Sequence, residues 1–388
     1  MALPNQSQSQ VVTIPHEYQP DLKISEFLRS RIEAGDFPSA VYLIAEKGHS
    51  IFADALGDAV REPEPHAATL ETIYDLASLT KPLITGLLCA QLVERGELSL
   101  DNPVADYLPE FDRADKSSIT IRRLLTHTSG LPAWRPLYLL TNGAKEAALA
   151  TIAAEPLQYT PGERVTYSDL GFITLGFLLQ RLTGQTLAAL AQTQIFTPLR
   201  LQRTFFNPDI AARTGVAACE NGNAYERDMC ERDFAGRAYG GWRNEIIWGE
   251  VHDGNAHLLG GAAGHAGLFS TATGTLELAN QFIGARSQLL KPGTCELFRQ
   301  NLTEGLNEAR SFAWQLALTK DSTAGSSLPP EAFGHNGFTG TSCWIDAERE
   351  RVFILLTNRT HHRALPFANI NSVRREFHTL AVAGLSVG

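Results

Sequence analysis

At 388 residues the chain is long for one core and suits two intimately packed lobes. Apolar residues make up 44% and charged residues 19%, which is ordinary for a globular enzyme. The formal net charge of -9, without a Lys- or Arg-rich run, argues against nucleic acid and anionic membrane surfaces as partners, and no apolar stretch approaches transmembrane length.

Residues 1–19 read as a loose arm. The start, Met1 to Gln10, is polar and lacks a basic segment followed by an apolar one, so it does not read as a secretory signal. The five cysteines are an odd number without metal-type pairing and read as reduced thiols. Together these features predict a cytoplasmic protein. Leu22, Ile24, Phe27, Leu28 and Ile32 form an apolar stripe and predict a helix over 21–33. Segments 39–46 and 50–56 read as strands joined by the turn Lys47-Gly48-His49. An apolar helix follows over 83–93, and 100–280 is mixed, with several helices and long Gly/Pro-punctuated loops. Within it Ser168 caps a helix running to about Leu182 and closed by Gly184. That helix is apolar on most faces and should be buried. Strands are predicted at 312–318, 340–346 and 351–357, a loop at 319–330 and a last helix at 369–382. Strands thus come from both ends of the chain. They predict an α/β lobe from 1–77 and 285–388, a helical lobe from 78–284, and a cleft between them.

The most informative motif is Ser78-Leu79-Thr80-Lys81, an S-x-x-K at the start of the apolar helix. Ser and Lys three apart on a helix share one face. At a helix N-terminus the backbone N–H groups are unpaired and favour negative charge. A nucleophile, a proton acceptor and an anion-stabilising end suit acyl transfer through a covalent serine. Pro82 fits only if the helix starts close to Ser78.

Two later motifs stand in the matching order: Tyr167-Ser168-Asp169 and His335-Asn336-Gly337. With them, the chain resembles the serine β-lactamase and penicillin-recognising family, specifically its class C-like branch of esterases, D-aminopeptidases and related hydrolases. The resemblance runs from about Ile24 to Leu380 and includes segments 124–132, 264–271 and 334–341. It implies an α+β, β-lactamase-like fold, an antiparallel sheet flanked by helices with an inserted mainly helical lobe.

The resemblance implies that Ser78 is the nucleophile, that Lys81 assists its deprotonation and that Tyr167 exchanges protons with the serine and the leaving group. Ser78 and Phe338 would supply oxyanion-hole N–H groups. Asp169 departs from the usual Asn. Near Lys81 it would keep the amine protonated and move the base role toward Tyr167, whereas turned away it would be only a dipole partner of its helix. His335 departs from the usual Lys, which attracts a substrate carboxylate in β-lactam-recognising members. A neutral imidazole does this poorly, which weakens a β-lactamase reading. Gly337, His252, Asn255 and His265 join Asp169 and His335 as substrate-binding candidates. Trp242, Trp248 and Tyr239 are candidates for the pocket lining, and His127 for a structural role.

No compact ligand spacing supports a metal, and no cofactor is implied. The absence of G-x-S-x-G, a phosphate loop and H-E-x-x-H argues against other hydrolase and nucleotide chemistries. The predicted function is a serine hydrolase acting on a small-molecule ester or amide through an acyl-enzyme, most simply a carboxylesterase. The alternatives are an amidase or D-aminopeptidase on peptidoglycan fragments, then a β-lactamase, and, in another class, a non-catalytic binding protein on the same scaffold. An oligomer remains open.

Overall fold

The computed structural model describes residues 19–361 and 364–386. The expected N-terminal arm lies outside the described residues except for its last position. Strand β1 (Ser39–Glu46) is apolar almost throughout because both of its faces are covered. The turn at Lys47 and Gly48, both with positive φ, returns the chain as β2 (His49–Val60), and β3 (His66–Ala67) forms the edge. Strands β4 (Tyr74–Asp75), β5 (Thr204–Phe206) and β6 (Leu268–Ser270) make a small second sheet in the order β4-β6-β5. The main sheet is completed by β7 (Gln315–Leu316), β8 (Phe333–Asn336), β9 (Ser342–Asp346) and β10 (Arg351–Thr357). Its order is β3-β2-β1-β10-β9-β8-β7, antiparallel throughout.

The two ends of the chain meet at the centre of this sheet, where β1 pairs with β10. Alternation along the strands sorts their side chains. Tyr42, Ile44, Phe353 and Leu355 face the helices Leu22–Glu33 and Asn371–Leu385. Val41, Leu43, Ile354 and Leu356 face the opposite way. There they join one continuous core with the helices Ala272–Asn280, Leu87–Glu94 and Asp169–Thr183. Each fully buried side chain of this size contributes about 1.5–3 kcal/mol.

Three local expectations change. The 312–318 strand shrinks to Gln315–Leu316, because Ala313 takes a left-handed conformation (φ +67°) and turns the chain beforehand. Strand β8 carries the His-Asn-Gly motif and was not expected to be a strand, since Gly, His and Asn are poor strand formers. The Trp344 indole explains its glycine: a Cβ on Gly334 would overlap that ring. The nucleophile helix does not begin as an α-helix. A 3₁₀ turn (Ala77–Leu79) leads into a π-helical segment (Lys81–Gly86), and regular α-helix starts only at Leu87. Pro82 sits at the start of the π segment, where its missing N–H is tolerated. The 168–184 expectation holds: Ser168 accepts the N–H of Gly171, and Gly184 (φ +68°) ends the helix.

Candidate active site

The backbone around Ser78 is strained and tied down. Ala77, just before the serine, has φ +47°, a conformation that non-glycine residues rarely adopt. Asp75 accepts the Ala77 N–H at 2.8 Å, and the Thr80 hydroxyl donates to the Ala77 carbonyl at 2.7 Å. The turn after β8 is stitched onto this segment. Thr339 donates to the Asp75 carbonyl at 2.7 Å, and Thr341 donates to the Leu76 carbonyl at 3.0 Å. Gly337 permits the approach, because a Cβ there would lie 2.6 Å from the Leu76 oxygen. The chain around Phe338 is thereby brought against the chain around Ser78.

Lys81 is fully buried. Its Nζ donates to Ser78 Oγ at 2.9 Å and to the His265 carbonyl at 3.1 Å, and lies 2.7 Å from Asp169 Oδ1. The ammonium thus has two hydrogen-bond acceptors and one carboxylate as its ion-pair partner. Burial works against the charged amine, but Asp169 and Tyr167 together outweigh it and hold Lys81 above its ordinary range. Of the two places open to Asp169 from sequence, the structure selects the one against Lys81. Burial, reinforced by the Asp169 charge, likewise holds the Tyr167 phenol above its ordinary range against the pull of Lys81. The resting cluster is therefore ammonium, carboxylate and phenol.

Tyr167 is seated by its neighbours. The His127 ring packs 4.6 Å from it on one side, and the His335 ring lies 5.6 Å away. The His127 Nδ1 accepts the Ser168 N–H at 3.0 Å, so its proton is on Nε2 and the imidazole is neutral. Its structural role is thus to fix the loop carrying Tyr167. Lys81 Nζ and the Arg310 guanidinium lie 4.9 and 5.7 Å from the centre of the Tyr167 ring.

His335 is buried, and its Nδ1 donates to the Asn336 carbonyl at 2.9 Å. Burial, then the charges of Arg310 and Lys81, push its pKa well below the ordinary value. The neutral ring keeps a lone pair on Nε2, which finds no partner among the described residues. His252 stacks on Phe338 at 5.5 Å, pairs with Glu220 at 2.8 Å and donates its backbone N–H to the Asp75 carboxylate at 2.8 Å. Although burial opposes it, Glu220 raises the His252 pKa, which favours the imidazolium.

These groups open on a cleft of about 700 Å³. Its lining brings together Ser78, Tyr167, Asp169, His252, His335, Gly337 and Phe338 among the residues singled out from sequence. Lys81 and His265 stand behind it, with His265 bonded to Asp253 at 2.8 Å. Asn255 is not brought to the lining. It is fully buried, and its amide holds the Leu137 N–H and the Arg135 carbonyl at 2.8 Å each. The aromatic expectation also changes. Trp242 and Tyr239 pack with Tyr138, and Trp248 donates to the Val216 carbonyl, all outside this cleft. Trp134, Tyr225 and Phe367 supply its aromatic wall instead, and Glu226 and Arg310 supply unforeseen charge. None of these lies in a motif, so only packing identifies them. Among the described residues no group of three His, Cys, Asp or Glu side chains is placed to hold a metal. Nor is any helix there long and apolar enough to cross a membrane.

A model of the family described as Beta-lactamase matches residues 24–373. A protein of Escherichia coli (strain K12) named "Putative D-alanyl-D-alanine carboxypeptidase" is 30% identical over 366 residues, covering 87% of this chain and 82% of that protein. The solved structure of EstCE1, titled a hydrolase with promiscuous acyltransferase activity, is 25% identical with a TM-score of 0.70, covering 92% of this chain and 97% of that one. A class C β-lactamase from Rhodobacter sphaeroides shares the fold at 19% identity, with a TM-score of 0.67 and coverage of 94% and 99%. With the fold, the motif order and the match over residues 24–373 in agreement, the chain belongs to the β-lactamase family, a family of serine hydrolases.

Proposed function

We propose that this protein hydrolyses a small-molecule ester through an acyl-enzyme on Ser78, as a carboxylesterase-type enzyme. The observation that carries this reading is Lys81, held as an ammonium by its ion pair with Asp169 while it donates to Ser78 Oγ and the His265 carbonyl. A protonated lysine cannot take the serine proton, so the base is the minor form in which Tyr167 has first released its phenolic proton to solvent and stands as a phenolate beside the Lys81 ammonium; that phenolate takes the Ser78 proton. Ser78 Oγ then attacks the ester carbonyl, and the N–H groups of Ser78 and Phe338 face the developing oxyanion. Tyr167 returns the proton to the departing alkoxide. Water, giving its proton to the same phenolate, attacks the acyl-serine carbonyl; Tyr167 passes that proton to the departing Ser78 Oγ and the acid is released.

A second reading is supported by the bacterial relative named above: an amidase or peptidase on peptidoglycan fragments, using the same steps with an amine leaving group. β-Lactam hydrolysis ranks behind both, because the neutral His335 stands where that chemistry uses a lysine. A binding protein without catalysis is disfavoured by the intact Ser78, Lys81 and Tyr167. A reducing compartment, the cytoplasm, fits five cysteines that are buried and free.

Turnover of a short-chain nitrophenyl ester and a chromogenic cephalosporin, measured side by side for wild type and Ser78→Ala, tests the reading. Ester hydrolysis lost by roughly 10³-fold or more in Ser78→Ala supports it. Dominant cephalosporin turnover, or ester turnover indifferent to Ser78, rejects it.

A further inference from the structure

Next to the reacting atoms the cleft carries an aromatic face that the proposed chemistry does not use. Tyr225, on the helix Ala224–Asp233, lies 5.0 Å from the Phe338 ring and stacks on Phe367 at 5.6 Å with an interplanar angle of 27°. Phe338 and Phe367 meet edge to face at 5.9 Å. All three rings are half-buried and line the cleft, as does Met229, one helical turn after Tyr225. The face is seated from behind. Arg359 lies 4.9 Å from the centre of the Phe338 ring and donates to the Phe338 and Ala368 carbonyls at 2.7 and 2.8 Å. One guanidinium thus fixes the backbone beside both phenylalanines. The charges bordering the rings are already engaged, Arg359 by those two carbonyls and His252 by Glu220. What the cleft offers there is aromatic surface that gains from further burial.

We propose that Tyr225 and Phe367, together with Phe338, are specificity-determining residues that receive an uncharged aromatic group on the acyl side of the substrate. This rests on the serine-hydrolase reading of Ser78 and narrows its substrates to esters or amides of aryl-bearing acids. The side follows from the chemistry. Tyr167 hands its proton to the leaving group, so the leaving group lies against Tyr167. The carbonyl oxygen lies against the Phe338 N–H, so the acyl chain extends from the Phe338 end of the cleft. Phe338 joins the two tasks, its backbone meeting the oxyanion and its ring opening the aromatic face. A flat ring meets Tyr225 and Phe367 by face or edge, a geometry that an aliphatic chain of equal size does not match.

The test keeps one leaving group and varies the acid: nitrophenyl phenylacetate, cyclohexylacetate and acetate, each enzymatic rate divided by its rate with hydroxide. Wild type should favour phenylacetate over acetate by about tenfold or more in kcat/KM, and over cyclohexylacetate by about twofold or more. In Tyr225→Ala and Phe367→Ala both ratios should fall toward about one, whereas Tyr225→Phe, which keeps the ring, should retain them. Moving the ring to the alcohol reads the other side of the bond: the ratio of benzyl acetate to ethyl acetate should change less than about twofold in Tyr225→Ala. Inhibition by phenylmethylboronic acid against methylboronic acid, which bond to Ser78 Oγ without turnover, should show the same aromatic preference in wild type. Equal rates on phenylacetate and acetate in wild type overturn the proposal, as do ratios that survive both alanine variants, a preference that Tyr225→Ala removes on the alcohol side, or boronic acids that inhibit equally. Ser78-independent turnover would reject the proposed function, whereas Ser78-dependent turnover without aromatic preference rejects only the role of Tyr225, Phe338 and Phe367.

Discussion

Two charged clusters flank Ser78, and they solve burial differently. On one side a single cation, Lys81, donates to two neutral oxygens and pairs with one carboxylate, Asp169. On the other side carboxyls outnumber their partners. Glu220 pairs with His252 and Asp253 with His265, each at 2.8 Å, and Glu226 is left with the Gly254 N–H and the Tyr138 hydroxyl. Burial and the nearby Asp253 push Glu226 up to about 7, while His265 holds Asp253 below its ordinary range despite burial. A buried charge with a partner keeps its charge, and one without is neutralised by a proton. The first cluster is the one proposed to move a proton to and from Ser78. The second holds the wall of the cleft, through the stacked His252 and Phe338 and through Asp253 capping the helix Gly254–Leu258.

The contrast can be broken most strongly at Tyr167. Removing its hydroxyl in Tyr167→Phe takes away the group proposed to carry the proton, and kcat on the nitrophenyl ester should fall by about 10²–10⁴-fold. A loss below tenfold would return the base role to Lys81. Asp169→Asn sharpens the same point with a smaller effect. Asp169 raises the pKa of both Lys81 and Tyr167, so its removal lowers both, and the alkaline limb of the kcat/KM profile should move to lower pH. An unmoved limb would mean that neither group titrates in the rate.

The smallest effect belongs to the acid-rich wall and concerns stability. The folded pKa of Glu226, about 7, lies above the unfolded value near 4.5, so the folded state binds the extra proton between these values. Wild-type stability from this group is present at low pH and is lost as pH rises from about 4.5 to 7. Glu226→Gln carries no such dependence. Urea unfolding should show the variant gaining on wild type across that window, by at most on the order of 3 kcal/mol, and no further above it. Parallel pH profiles would show that Glu226 titrates normally.

How far the sequence could be read follows from the kind of signal each residue leaves. Ser78 and Lys81 are legible because a helical turn brings positions three apart together, and Ser168 and Gly184 because caps have local rules. The strands 39–46 and 351–357 are legible as apolar runs. Strand β8 was not, since its Gly334 and His335 answer to Trp344 and the cleft rather than to strand propensity. Asn255 looked like a ligand contact beside His252 and Asp253, but its amide is consumed by the backbone at 135 and 137, over a hundred positions away.

By itself, then, the sequence determined the order of three motifs, the main helices and the central strands, because these depend on short-range spacing and periodicity. Only the tertiary structure decided the electrical state of the cleft. It put Asp169 against Lys81 at 2.7 Å, it left His335 neutral, and it brought Arg310 over Tyr167. The reason is physical: a charge inside a protein is set by its distance to other charges and to water, and neither distance is written in the local order of residues.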